Sequence, residues 1–123
     1  MSTAHHRGKT AYHAGTAAED SVARHYEGRA ASVLAKRWRG TTGEIDLVIR
    51  DGAVVVFVEV KKSRNHAQAA ARLTRAQMDR IYQAGSEFLA TQARGQLTDV
   101  RFDVALVDEQ GCVVVVENAF MDA

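Results

Sequence analysis

"GEIDLVIRDGAVVVFVEVKK", residues 43–62, runs two apolar segments either side of an Asp-Gly pair and sets charges inside them: Glu44, Asp46, Glu59 and Lys61. The β-branched runs "EIDLVI" and "AVVVFVEV" predict two strands, and Asp51-Gly52 is a strong short-range signal for the hairpin joining them. Side chains alternate along a strand, so Glu44 shares a face with Asp46, and Glu59 with Lys61. A two-residue turn at Asp51-Gly52 pairs Arg50 with Ala53 and Glu44 with Glu59; a four-residue turn sets Asp46 directly opposite Glu59. Either register keeps the four charges on one face and leaves Ile45, Leu47, Ile49, Val54, Val56, Val58 and Val60 as an apolar wall on the other. Val48, Val55 and Phe57 lie on the charged face, which is therefore expected to be covered, with the acids at its rim.

Carboxylates held together repel one another, and partial burial adds a desolvation cost. A cation removes both penalties. Clustered carboxylate oxygens are hard ligands that suit Mg²⁺ or Mn²⁺ rather than zinc, and Lys61 beside them is placed to touch a phosphate oxygen or a water nucleophile. An acid-x-lysine at a strand end is also the pattern of a solvated edge or a simple ion pair, and the residues alone leave both readings open. "RFDVALV" repeats the pattern more weakly. Arg101 and Asp103 share one face of a later strand, opposite Phe102, Val104 and Leu106, and structural pairing is the favoured reading there.

Outward from the hairpin, "AGTAAEDSVARHYEG" spaces Ala18, Val22, Ala23 and Tyr26 as an amphipathic helix with Gly28 as its stop. "ASVLAKRW" predicts a first strand. Residues 67–93 predict one long helix, or two broken near Thr74, and "VRFDVALV" and "CVVVVE" predict two final strands. The order α-β-β-β-α-β-β implies a mixed sheet with helices packed on it, in the α/β or α+β class. At 123 residues the chain fits one domain over 14–123, preceded by a loose arm over 1–13. The arm carries His5 and His6, which lack any other ligand type nearby and predict no metal site. Net charge is +1, so total charge neither demands nor excludes nucleic acid as a partner. The lone Cys112 sits in an apolar run and is expected to be buried core, with a reducing compartment as its setting. No apolar segment approaches a membrane span, and the N-terminus lacks a signal-peptide core; a cytoplasmic protein is expected, with no membrane partner.

At the charged hairpin the chain resembles a known group. An acid before two or three apolar residues, a strand crossing and then Glu-x-Lys is the signature of the PD-(D/E)xK nuclease superfamily, the restriction-endonuclease-like fold. The stretch "GTAAEDSVARHYEGRAASVLAKRWRGTTGEIDLVIRDGAVVVFVEVK", followed by "RFDVALV", resembles the YraN-like family of bacterial endonuclease-like proteins. That family is itself similar to archaeal Holliday-junction resolvases. The likeness runs from about Gly15 to Phe120.

The resemblance implies an α/β restriction-endonuclease-like mixed sheet and a Mg²⁺- or Mn²⁺-dependent endonuclease acting on DNA, with branched or junction DNA as one substrate. A non-catalytic nucleic-acid-binding module of a repair or processing assembly is the alternative. By position, Asp46 and Glu59 match the metal-binding acids, Lys61 the motif lysine and Glu19 the acid of the first helix; these four form the implied catalytic set. Glu44 belongs to the motif without an assigned role. Gln77 and Arg80 are the auxiliary polar candidates on the long helix, and Arg39, Lys62 and Arg64 complete the expected nucleic-acid contacts. Ser63 departs from the family pattern, which has arginine there, and Gln77 stands where relatives often carry lysine. Trp38 is expected to pack against the first helix rather than stack on a base. Symmetric cutting of two strands favours a homodimer, with "CVVVVE" as an exposed edge and its seam.

Overall fold

The computed structural model describes residues 17–119. The expected arm over 1–13 and the His5–His6 pair lie outside the described residues. Helix α1 occupies 17–27 of the described chain. It is followed by β1 (Ser32–Arg39), β2 (Glu44–Asp51), β3 (Val54–Lys62), α2 (His66–Ala71), α3 (Arg75–Leu89), a 3₁₀ turn (Gly95–Leu97), β4 (Val100–Val107) and β5 (Val113–Val116). The strands form one sheet in chain order, with β3 and β4 parallel and every other neighbour antiparallel. This is the mixed α/β arrangement that the sequence order predicts.

The helical segment after β3 is two helices, and Thr74 breaks it. Its hydroxyl accepts from the Gln77 N–H at 3.1 Å while the Gln77 side chain accepts from the Thr74 N–H at 3.1 Å, a reciprocal cap that starts α3. Helix α1 ends where expected but not by the expected residue. Ala30, at φ 64°, takes the left-handed position, and the Ala31 N–H reaches back to the Tyr26 carbonyl while the Ala30 N–H reaches Glu27. That is a Schellman cap built on alanine instead of the usual glycine.

The sheet carries a core on each face. On one side α1 lays Ala18, Val22, Ala23 and Tyr26 on Leu47, Ile49, Val56, Val58, Ala105 and Val107. On the other, α2 and α3 cover Val48, Val55, Phe57, Val104 and Leu106 with Ala69, Ile81, Ala84, Phe88 and Leu89. The predicted covering of Val48, Val55 and Phe57 is thus supplied by α3. Gly85 makes the close approach possible, since a Cβ there would meet the Phe57 ring at 3.0 Å.

The hairpin register is Asp51 with Val54, Arg50 with Val55 and Leu47 with Val58. The turn residues are therefore Gly52-Ala53 rather than Asp51-Gly52, because Gly52 (φ 62°) takes the first central position. One step beyond Leu47–Val58 sets Asp46 opposite Glu59, the register in which the two acids face each other.

Alternation fails at one end of the apolar wall. Ile45 packs in the α3-side core although Leu47 and Ile49 face α1. Its neighbour across β1 is Trp38, and β1 is kinked at Arg37, whose backbone is left-handed at φ 51°. Lys36 and Arg37 consequently both reach α1, at Asp20 (3.1 Å) and Glu19 (2.8 Å). Trp38 turns the other way and meets Phe88 edge-on at 5.4 Å. The expected packing of Trp38 is found, but against α3 and not the first helix. Cys112 is exposed rather than buried: β5 begins one residue later, and the loop holding Cys112 is fixed by its N–H donating to Asp108 at 2.9 Å.

Candidate active site

The end of the hairpin farthest from its turn gathers the charges. Here the β2–β3 ladder stops, and the Val60 N–H donates to Asp46 Oδ2 at 2.8 Å instead of to a strand carbonyl. Asp46 therefore sits where two strands separate, its carboxylate held by one backbone donor and directed at Glu59, with which it shares a hydrogen bond. Lys61, two residues on along β3, brings Nζ to 3.8 Å from Glu59 Oε1. The Glu59 and Lys61 side chains are only 13% and 14% exposed, so this pair is sheltered rather than a solvated edge.

Burial is the main reason Glu59 resists ionisation, and the hydrogen bond and charge of Asp46 add to it. Together they push its carboxyl up to about 9, against the weaker opposing pull of Lys61. Two buried carboxyls this close disfavour each other's ionisation, and a proton or a cation relieves that cost. Glu59 borders a cleft of about 200 Å³ lined also by Gly43, Glu44, Gln77, Arg80 and Ile81.

Glu19 stands within electrostatic reach of Asp46 and Glu59, and burial raises its carboxyl. Its oxygen is engaged by Arg37 Nε at 2.8 Å. Among the described residues no three acid, histidine or cysteine groups converge closely enough to hold a metal ion. The donors that face one another are two, Asp46 and Glu59. Two hard oxygens in a sheltered polar cleft fit Mg²⁺ or Mn²⁺ with solvent completing the shell, as such ions keep several waters.

The expected nucleic-acid contacts fall in three places. Gln77 and Arg80 line the cleft beside Glu59, although the Gln77 carbonyl is occupied by the cap at Thr74. Arg39 extends into solvent and touches Glu44 at 3.3 Å. Lys62, the last residue of β3, and Arg64 just beyond it border a separate cleft with Glu109.

Asp103 belongs to a different assembly. It is wholly buried, and it accepts from Tyr26 Oη at 2.7 Å, from Arg101 Nε and Nη2 at 2.9 and 3.1 Å, and from the Asn118 N–H at 3.2 Å. Structural pairing, the favoured sequence reading, is what the geometry shows. Two residues escaped the sequence reading. Glu87 of α3 fixes the β1–β2 loop, accepting from the Thr41 N–H at 2.9 Å and from its hydroxyl at 2.8 Å. Tyr26 was visible only as a core position of α1. Neither carries a local signal, because each partner lies far away in sequence.

A five-stranded mixed sheet, covered on both faces by helices and carrying Asp46, Glu59 and Lys61 where β2 and β3 part, places the chain in the endonuclease-like α/β class. The sequence profile of "Uncharacterised protein family UPF0102" matches residues 18–107. A UPF0102 protein of Cereibacter sphaeroides strain KD131 is 63% identical over 113 residues, 92% of this chain and 97% of the relative. A UPF0102 protein of Ruegeria pomeroyi is 55% identical over 114 residues, 93% of each chain. One of Roseobacter denitrificans is 53% identical over 117 residues, 95% of this chain and 91% of its own. The chain belongs to the UPF0102 family, the endonuclease-like YraN group. No helix among the described residues is long and apolar enough to cross a membrane.

Proposed function

We propose that this protein is a metal-dependent nuclease that hydrolyses phosphodiester bonds in DNA, with branched or junction DNA as the favoured substrate and Mg²⁺ or Mn²⁺ as cofactor. The observation that carries this reading is the sheltered Asp46–Glu59 pair with Lys61 beside it, its Glu59 bordering a cleft with Arg80 at the wall. A divalent ion bound there would act as a Lewis acid and lower the pKa of a bound water. Asp46, oriented by the Val60 N–H, and Glu59, once it yields its proton, are the residues to hold the ion. Lys61 reaches the scissile phosphate or the attacking water with its ammonium and stabilises charge that develops there. Arg80 and Gln77 contact the neighbouring backbone across the cleft. Glu19, held by Arg37, contributes its field and orients solvent at the back of the pair.

The test is incubation with Mn²⁺ and single-stranded, duplex, flap and four-way DNA, beside an Asp46→Asn control. Cleavage by the natural protein and none by Asp46→Asn, with melting temperatures within a few degrees, is the expected result. Equal cleavage by both would refute the assignment. Lys61→Ala should slow turnover while leaving metal affinity nearly unchanged; unfolding instead would make the lysine structural.

A second reading, a nucleic-acid-binding module without cleavage, draws support from the capture of Glu19 by Arg37, which leaves two facing acids instead of three. Binding to the same panel without cleavage in either metal would favour it. In the nuclease reading a second copy would add its β5 edge to this one across a two-fold axis. Val114 and Val116, 44% and 43% exposed, would meet at that seam. Sedimentation of the natural protein as a monomer at micromolar concentration would remove the dimer.

A further inference from the structure

At the opposite end of β2 from the acid pair, a cleft of about 230 Å³ is lined by Arg50, Ala53, Gln92, Ala93, Arg94 and Thr98. Two guanidinium groups border it and no carboxylate does. Elsewhere Arg37, Arg39, Arg75 and Arg101 each meet an acid within 4.0 Å. Neither Arg50 nor Arg94 forms an ion pair among the described residues. Arg50 is also held in place. Its Nη2 donates to Gln92 Oε1 at 3.2 Å, Gln92 Nε2 donates to Thr91 Oγ1 at 3.0 Å, and that hydroxyl donates to the Phe88 carbonyl at 2.6 Å. The chain of bonds anchors one arginine to the last buried turn of α3, while the small side chains of Ala53 and Ala93 leave space in front of it.

We infer that this cleft binds a phosphate group, the next contact along a nucleic-acid backbone whose scissile bond lies at Asp46 and Glu59. Guanidinium planes match tetrahedral oxyanions in bidentate geometry, and two without acid partners offer an uncompensated positive site. The spacing suits one strand spanning both places. Arg50 lies four residues from Asp46 along β2, roughly 13 Å of strand. At about 3.4 Å per base step that is close to four nucleotides. Both clefts open on the α3 face, and α3 runs from one to the other: Gln77 and Arg80 border the first, and the chain just beyond Leu89 borders the second.

The inference rests on the nucleic-acid reading, and the experiment separates the two. Duplex affinity is measured against salt concentration without divalent metal, for the natural protein and for the double variant Arg50→Gln, Arg94→Gln. The slope of log K on log salt should shrink by about 1.8, two phosphate contacts at about 0.9 each, with an unchanged melting temperature. An unchanged slope overturns the site and leaves the nuclease untouched. If the natural protein binds no DNA, the nucleic-acid reading falls, and titration of isotopically labelled protein with inorganic phosphate decides the cleft. Shifts of the Ala93, Arg94 and Thr98 amides that vanish in the double variant keep an anion site, and no shifts end it. A reduced salt slope identifies a backbone phosphate as the ligand, whereas amide shifts with inorganic phosphate beside an unchanged slope identify a free phosphate ion in its place.

Discussion

Two acid assemblies lie in one sheet, and they are finished to different degrees. Asp103 has every acceptor direction filled, by Tyr26, Arg101 and the Asn118 amide. Arg101 also touches Asp51 at 3.4 Å and Glu117 at 4.0 Å. Burial and the adjacent Asp103 carboxylate raise the Tyr26 hydroxyl, so it stays a donor throughout the working range. The Asp46–Glu59 pair has one backbone donor and a lysine at 3.8 Å, and keeps a proton in place of a counter-charge. A buried acid with all its donors supplied holds the fold together. A buried pair lacking them stores an unmet demand, which a ligand can satisfy.

Substitutions at the two assemblies should therefore behave in opposite ways. The largest effect of a single substitution is expected from Asp103→Ala, which leaves Arg101 and Tyr26 facing a void. Losing one member of a buried pair costs roughly 3–5 kcal/mol, and the remaining contacts of Arg101 with Asp51 and Glu117 hold the loss near the lower figure. A smaller loss in denaturant unfolding than that of an ordinary surface substitution would erase the distinction.

Next comes pH. In the unfolded chain Glu59 ionises near 4.5, and in the folded metal-free protein it holds its proton to about 9. Between those values the native state binds more protons than the unfolded state, so stability is fully present below the lower value and falls as pH rises through the window. The slope is about 1.4 kcal/mol per pH unit. Glu59→Gln should flatten that slope, and Mg²⁺ should raise the melting temperature of the natural protein more at high pH than at low. A flat profile for the natural protein would mean that Glu59 is ionised without metal. The smallest effect belongs to Tyr26→Phe. Asp103 keeps its arginine and amide donors, so the cost is about 1 kcal/mol, read as a shift of the denaturation midpoint.

Much of this was legible in the sequence because it depends on local pattern. The β-branched runs placed β2 to β5, Thr74 stood as the point where one long helix could divide into two, and period-two alternation put Asp46, Glu59 and Lys61 on one side of the hairpin. The illegible parts are tertiary. The left-handed backbone of Arg37 turns Trp38 and Ile45 to α3, and no residue-level preference announces it, since arginine seldom adopts that conformation. The capture of Glu19 by Arg37 follows from the same kink. The turn at Gly52-Ala53 pairs Arg50 with Val55 instead of Ala53, two residues along the second strand, because glycine takes the first central place and not the second. Cys112 reads as core by its valine neighbours, yet the loop before β5 is pinned by Asp108 and leaves it outside.

The hairpin has a consequence for the order in which the molecule assembles. Asp46 and Glu59 meet across a short loop within two adjacent strands, whereas Tyr26 and Asp103 are joined over a separation of 77 residues. Closing a short loop costs little chain entropy, and contacts between distant segments come late. By that measure the hairpin pair is expected to form before the tie between α1 and β4 closes.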